Sequence, residues 1–245
     1  MSEPQYSAIS FQSVSKGFDG RKVLDNVSFE IPAGEALCLM GRSGTGKSVT
    51  LKLMIGLTRP DQGIICIDNQ DIVPMDEDGL SAIRRKIGFL FQSAALFDSF
   101  TLNDNLALPL MRFRKKTKPE IDEIVQRELD AVGLGDARYK MPAELSGGMR
   151  KRAGLARALV LEPSILLIDE PSSGLDRVTA SEIDELLLSL KGRTTMVIVT
   201  HDVRGARRVG DRLAVLDKGR LLAIGPAQDL EKHENKLVRN LVSEG

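Results

Sequence analysis

Residues Gly41–Ser48 read GRSGTGKS, the spacing G-x-x-x-x-G-K-S, and each fixed position has a physical use. Gly41, Gly44 and Gly46 let the backbone turn where a Cβ would collide, so that successive N–H groups can converge on phosphate oxygens. Lys47 adds a point charge for the β- and γ-phosphates, and the Ser48 hydroxyl is a ligand for Mg²⁺. Arg42, Ser43 and Thr45 fill the loop and Val49 follows it, so residues 41–49 form the candidate nucleotide-binding segment. The flanks fit: GEALCLM before the loop is apolar like a buried strand, and VTLKLMIGL after it has helical spacing. A helix N-terminus there adds partial positive charge for an anion. An accidental glycine-rich turn would lack this strand–loop–helix context.

Two later stretches end in groups able to act on such a ligand. Ile165–Glu170 (ILLIDE) is an apolar run closing on two carboxylates. A strand tip there would set Asp169 beside the phosphate loop, holding Mg²⁺ directly or through water, while Glu170 orients or deprotonates the attacking water. The plainer alternative is solvated charge at a strand end. Met196–Asp202 (MVIVTHD) would deliver His201 to the same sheet edge, where its ring can hydrogen-bond a γ-phosphate. A strand-end histidine taken alone is more often structural. His233, in a charged helix without an acid cluster nearby, reads as surface. Leu145–Met149 (LSGGM) sets Ser146, Gly147 and Gly148 before a helix, a second anion-binding terminus. One nucleotide has no obvious use for two such loops. A symmetric dimer does, because each loop can cap the nucleotide held by the other subunit.

These residues need elements to hold them. ISFQSVSKGF and KVLDNVSFEI are β-like runs parted by the turn dipeptide Asp19-Gly20. Gly63–Asp68 predicts another strand, Leu80–Arg85 the start of a helix, and Lys86–Gln92 (KIGFLFQ) a strand ending on a polar amide. From Ser93 to about Leu159 the pattern turns helical, with a stripe at Ile121, Ile124, Val125, Leu129 and Val132 and a further helix after Gly147-Gly148. Strands and helices then alternate: Ile165–Ile168, Ile183–Leu190, Met196–Thr200, a hairpin across Lys218-Gly219, and a charged tail helix over Pro226–Val242. Alternation of this kind predicts an α/β fold with a mostly parallel sheet. An antiparallel β part precedes it and a helical subdomain over 93–159 is inserted. Arg112–Lys118 (RFRKKTK) reads as a solvated loop, with contact to anionic lipid or a permease as the alternative. Arg150-Lys151-Arg152 place cations at a helix start, against its dipole, which predicts an acidic neighbour.

The 245 residues can bury a substantial core, and 34 basic side chains balance 34 acidic ones, so no global charge draws the chain to nucleic acid or a membrane surface. Cys38 and Cys66 lie in apolar runs, as buried thiols in a reducing compartment would. MSEPQYSAISF lacks a basic-then-apolar signal pattern, and no apolar run reaches the ~18–20 residues that span a bilayer. A cytoplasmic chain is expected, with any membrane role supplied through a partner.

GRSGTGKS, Gln92, LSGGM, LLIDEP, SSGLD and the His201 segment occur in the order and spacing of ABC-type ATPases, and the resemblance covers essentially the whole chain. It implies ATP with Mg²⁺, a RecA-like core over 1–92 and 160–245, and a single ATPase domain with the signature subdomain at 93–159. It implies that Phe18 stacks on adenine, and that Gln92 senses Mg²⁺ and a transmembrane partner as a catalytic-edge residue. By the same resemblance, Ser146 and Gly148 reach across the dimer, and Asp176 couples the two sites. Met149 departs from the usual Gln of the signature, tolerably because Ser146 and the glycines supply the donors. Arg177 stands where a Pro often follows the aspartate.

Within the family the chain resembles the Mla/Mce-type ATPases of phospholipid transport, on SAALFDSFTLNDNLALPL after Gln92 and on LSGGMRKRAGLARAL. That implies a homodimer, a separate permease docking near Gln92 and Ala94–Phe100, a lipid-binding substrate protein, and a peripheral position at the cytoplasmic face of the inner membrane. Other readings are an amino acid or lipoprotein transporter ATPase, or a non-transport member. A repair ATPase needs a long coiled-coil insertion and a translation-type member two cassettes, and neither is here; a cluster-assembly ATPase is not excluded. A regulatory module with a degenerate site is opposed by the intact Lys47, Asp169, Glu170 and His201.

Overall fold

The computed structural model describes residues 7–113 and 116–243. Strands β1 (Ser7–Phe18) and β2 (Arg21–Pro32) pair antiparallel across the Asp19-Gly20 turn. β3 (Ala36–Met40) then runs into the glycine-rich loop and α1 (Lys47–Met54). β4 (Gln62–Ile67) and β5 (Gln70–Asp71) complete a four-stranded antiparallel sheet, order β2-β1-β4-β5. α2 (Glu77–Arg84) leads to β6 (Ile87–Leu90). The helical stretch follows: α3 (Leu102–Phe113), α4 (Lys118–Ala131) and α5 (Gly147–Leu159). Then come β7 (Ile165–Asp169), α6 (Arg177–Leu190), β8 (Thr195–Val199) and α7 (Val203–Val209). A hairpin of β9 (Arg212–Asp217) and β10 (Arg220–Gly225) and two short helices, α8 (Ala227–Leu230) and α9 (Lys236–Val242), end the described chain.

The second sheet has the order β10-β9-β3-β8-β7-β6, parallel from β9 through β6, with β10 antiparallel at the edge. Its central strands are apolar throughout because both faces are covered. Leu37, Leu39, Leu167, Val197 and Val199 point into a core shared with α1 and the antiparallel sheet. Ala36, Cys38, Met40, Leu166, Ile168 and Ile198 point the other way, under α6, α7 and α9. A third core, from Leu102 to Val160, lies among α3, α4 and α5.

Several expectations need correction. The tail is not one helix: it breaks over Glu231–Asn235, where Asn235 accepts from the Leu237 N–H and caps α9. His233 falls in that break, half-buried, its Nδ1 accepting from the Asn235 N–H at 3.0 Å. Residues 93–101 are not helical, and Ala94 and Ala95 have φ of 62° and 48°. Cys38 is buried, its thiol pushed up to about 12 by desolvation, but Cys66 is only half-buried. The basic run 112–118 lies partly outside the described residues; Lys116 faces Glu120 at 3.9 Å.

The three cations opening α5 do find partners. Arg152 pairs with Glu182 at 2.7 Å, Arg150 donates to the Leu145 carbonyl, and Lys151 donates to the carbonyl of Glu170.

Candidate nucleotide site

Parallel strands of one sheet deliver their C-terminal ends to one edge, and ligands of such sheets gather there. β3 ends in the glycine loop, β6 in Phe91-Gln92, β7 in Asp169-Glu170 and β8 in Thr200-His201. A cleft of about 460 Å³ opens between them, lined by Gly41, Lys47, Ser48, Gln92, Glu170 and His201 together with loop residues Ser43, Gly44, Gly46 and Val49. The wall toward the antiparallel sheet is Val23, on which the sequence reading placed no weight.

The loop geometry requires its glycines. Gly41 has φ 152°, and a Cβ there would sit 2.2 Å from the Leu216 carbonyl oxygen. Gly46 has φ 104° and would meet Leu24 Cδ2 at 2.6 Å. Gly46 also caps α1, whose first turn carries no acid, so its free N–H groups keep their field for an anion. Lys47 is buried in the loop, its ammonium donating to the carbonyls of Gly41 (2.8 Å) and Arg42 (3.0 Å). Desolvation pulls that ammonium below the ordinary lysine range, opposed by the negative charges of Glu170 and Asp169.

Ser48 Oγ donates to Asp169 Oδ1 at 3.1 Å, although the two are 121 residues apart. A hydroxyl and a carboxylate side by side are hard oxygen donors, suited to a Mg²⁺ that keeps waters and substrate phosphates for its remaining positions. Glu170 stands next along the chain in a left-handed backbone, φ 51°. Its N–H donates to the Val199 carbonyl at 2.8 Å, and its Oε2 lies 2.7 Å from His201 Nδ1. Acid and imidazole thus form a pair at the cleft, with the histidine largely exposed.

The remaining candidates stand apart from the cleft. Phe18 is 44% exposed at the end of β1, with Lys16 Nζ 5.2 Å from its ring centre, and is outside the cleft lining. Ser146 caps α5, accepting from the Met149 N–H at 3.2 Å. A Cβ added at Gly147 would make only an ordinary contact, 3.6 Å from Leu175 Cδ2. Gly148 packs closely on α6 in this chain, and a Cβ there would lie 2.2 Å from Thr179 Cγ2, so that side chain would have to move. Met149 packs against the third core, which accounts for an apolar side chain there. Asp176 caps α6 through Val178 N–H, Thr179 N–H and Thr179 Oγ1, and these bonds hold its carboxyl below the usual range.

Residues 24–173 match the family profile described as ABC transporter. The chain belongs to the ABC transporter family. Within it the chain is an ATPase subunit, in agreement with the resemblance its motifs carry. It is 45% identical over 242 residues to a probable ribonucleotide transport ATP-binding protein, mkl, of Mycobacterium leprae, covering 98% of this chain and 70% of that one. It is 38% identical to methionine import ATP-binding protein MetN 1 of Pseudomonas fluorescens, over 96% and 72% of the two chains. It is 36% identical to the intermembrane phospholipid transport system ATP-binding protein MlaF of Escherichia coli, over 99% and 91%. Among solved structures, a dimeric post-hydrolysis state of the ATP-binding cassette MJ0796 bound to ADP and Pi superposes with a TM-score of 0.83 and 34% identity, over 89% and 98% of the chains. The fold is therefore that of ABC ATPases, with a mostly parallel core sheet and an antiparallel β part.

Two residues central to the local geometry were missed in the sequence. Asn105 on α3 is fully buried; its Oδ1 accepts from the Phe97 N–H and its Nδ2 faces the carbonyls of Phe97, Phe100 and Thr101. It shapes the loop that turns Phe97 outward at 49% exposure and Phe100 at 38%. Leu96, by contrast, packs inward on the helical core. Lys151 was visible only as a cation misplaced for its helix.

Proposed function

We propose that the chain is the ATP-hydrolysing subunit of a membrane transporter that moves phospholipid, acting as a homodimer at the cytoplasmic face of the inner membrane beneath a separate permease. The observation that carries the catalytic half is the convergence of Ser48 on Asp169 and of His201 on Glu170 in one cleft with Lys47. ATP lies along residues 41–49. The amides of the loop and the α1 N-terminus hold the phosphates, and Lys47 neutralises them. Phe18 stacks on the adenine. Ser48, Asp169 and Gln92 would hold Mg²⁺, which neutralises charge on the β- and γ-phosphates when bound.

Glu170 orients the attacking water and takes its proton at Oε1, because His201 occupies Oε2. His201 swings its exposed ring between Glu170 and the γ-phosphate. Ser146, Gly147 and Gly148 at the start of α5 face the nucleotide of the partner subunit, and Asp176, in the loop before α6, joins the two sites. The whole chain, 1–245, acts as one ATPase domain with 93–159 as its signature subdomain.

The phospholipid cargo is supported by the 36% identity to the intermembrane phospholipid transport system ATP-binding protein MlaF, held along 99% of this chain. Docking of the permease is assigned to Phe97 and Phe100, the exposed rings of the loop after Gln92. A lipid-binding substrate protein completes the transporter.

Two measurements test this. Glu170→Gln should bind ATP normally, accumulate as an ATP-bound dimer, and lose turnover by on the order of 10² or more. Near-normal turnover sinks the assignment of Glu170. For cargo, the complex purified with its permease should carry phospholipid that exchanges with vesicles only with ATP. ATP-driven uptake of methionine or ribonucleotide instead would replace that cargo and leave the ATPase reading in place.

A further inference from the structure

The backbone of Glu170 sits in the left-handed region, φ 51°, a strained conformation that a side-chain-bearing residue keeps only where its surroundings over-determine it. Its N–H is tied to β8 through Val199. Its carbonyl is held on the other side by Lys151, whose ammonium donates to it at 2.7 Å, with a longer bond from the Ser173 N–H at 3.3 Å. Lys151 is only 6% exposed. A buried ammonium needs both a strong acceptor and nearby negative charge, and the acids closest to it are Glu170 and Asp169.

We infer that Lys151 is a positioning residue for the hydrolytic step: it clamps the Glu170 carbonyl, fixes the left-handed turn after β7, and so aims the Glu170 carboxylate into the cleft. Lys151 lies five residues past Ser146 on α5. The helix whose N-terminus faces the partner's nucleotide thus also grips the acid of its own site. This rests on the catalytic assignment of Glu170 above.

The test uses the full-length protein and a double-mutant cycle. Lys151→Met keeps the stem and removes the donor. It should lower kcat on the order of 10-fold, one charge-assisted hydrogen bond's worth of orientation, with KM and ATP affinity unchanged. Lys151→Arg, which keeps a cationic donor, should restore most of the rate. In a Glu170→Gln background, Lys151→Met should cost nothing further in single-turnover hydrolysis, because the group it orients is already inactive. A wild-type kcat for Lys151→Met overturns the inference. So does a loss of equal size in both backgrounds, and so does collapse of the melting temperature in both Lys151→Met and Lys151→Gln, which would make the residue purely structural. If Glu170→Gln itself keeps normal turnover, the catalytic reading fails first, and that result is distinguishable from the others.

Discussion

Asp184 on α6 offers a stability prediction whose size follows from its surroundings. It lines a second cleft, of about 660 Å³, with His201, Asp202 and Arg208. Its carboxylate and that of Asp202, at the start of α7, crowd Gly205, where an added Cβ would lie 3.1 Å from Asp184 Oδ1 and 3.0 Å from Asp202 Oδ2. Burial raises the Asp184 pKa from 3.8 to about 6, helped by the charges of Asp202 and Glu185 and opposed by Arg208. Arg208 is itself engaged with Ser181 and Glu185. The folded protein therefore holds this proton more tightly than the unfolded chain. Between the two pKa values the native state binds more protons, so stability falls as pH rises, and above about 6 the penalty is complete. Such a shift is worth ~3 kcal/mol for a fully buried group, and about 1–2 kcal/mol once half-exposure is discounted. Asp184→Asn removes the charge and offers Asp202 a donor. It should raise the melting temperature at pH 8 by about 2–6 °C, falling to roughly half of that at pH 5 and approaching zero only below about pH 4. Thermal melts of both proteins across that range decide it. A variant less stable at pH 8, or one whose gain is undiminished at pH 4, refutes the account of a buried carboxylate that costs stability when charged.

Ser146→Arg puts a long cation at the α5 N-terminus; ATP binding by the isolated subunit should persist while sedimentation shows no ATP-driven dimer. Phe97→Glu combined with Phe100→Glu should release the subunit from its permease in detergent co-purification while basal ATPase stays within about an order of magnitude, since neither ring lines the nucleotide cleft. An unchanged melt would exclude simple unfolding, and retained co-purification would move the docking surface elsewhere. Arg157→Met cuts the bond to the Ala95 carbonyl and the contact with the Phe97 ring. Permease-stimulated turnover should fall with basal turnover preserved, and equal loss of both would show that Arg157 only stabilises the fold.

The convergence of residues at the candidate cleft was legible because its chemistry is local in sequence. A glycine loop between a strand and a helix, and apolar runs that end on Asp169-Glu170 or His201, each carry their own geometry. The parallel sheet then brings those ends to one edge. What stayed hidden depends on partners distant in the chain. Asn105 reads as an ordinary polar helical residue until the 97–101 loop folds over it. α7, seven residues with three arginines, has too few apolar positions to show a stripe, and forms because Asp202 caps it and Val209 and Ala206 are buried. The tail reads as one helix because its composition stays helical through Glu231–Asn235; the side-chain cap at Asn235 starts α9 afresh.

Gly148 shows how one residue can satisfy two demands that the sequence cannot separate. A glycine in LSGGM is read from its motif as a donor to phosphate, yet the chain's own packing already disfavours a side chain there, because α5 passes so close to Thr179 on α6 that its methyl would have to move. Gly154, two turns on, would meet Ala94 Cβ at 2.9 Å and Leu90 Cδ1 at 3.0 Å, so α5 is pressed against the end of β6 and the loop beyond it as well. Between these contacts Lys151 grips Glu170, and past them Arg157 grips the Ala95 carbonyl. α5 therefore touches the start of α6, the acid of the cleft and the loop that exposes Phe97, along about 18 Å of helix. Close-packed contacts at every stage leave it little freedom to bend. Those contacts put the Glu170 carbonyl midway along α5, between its Ser146 end and the loop that carries Phe97.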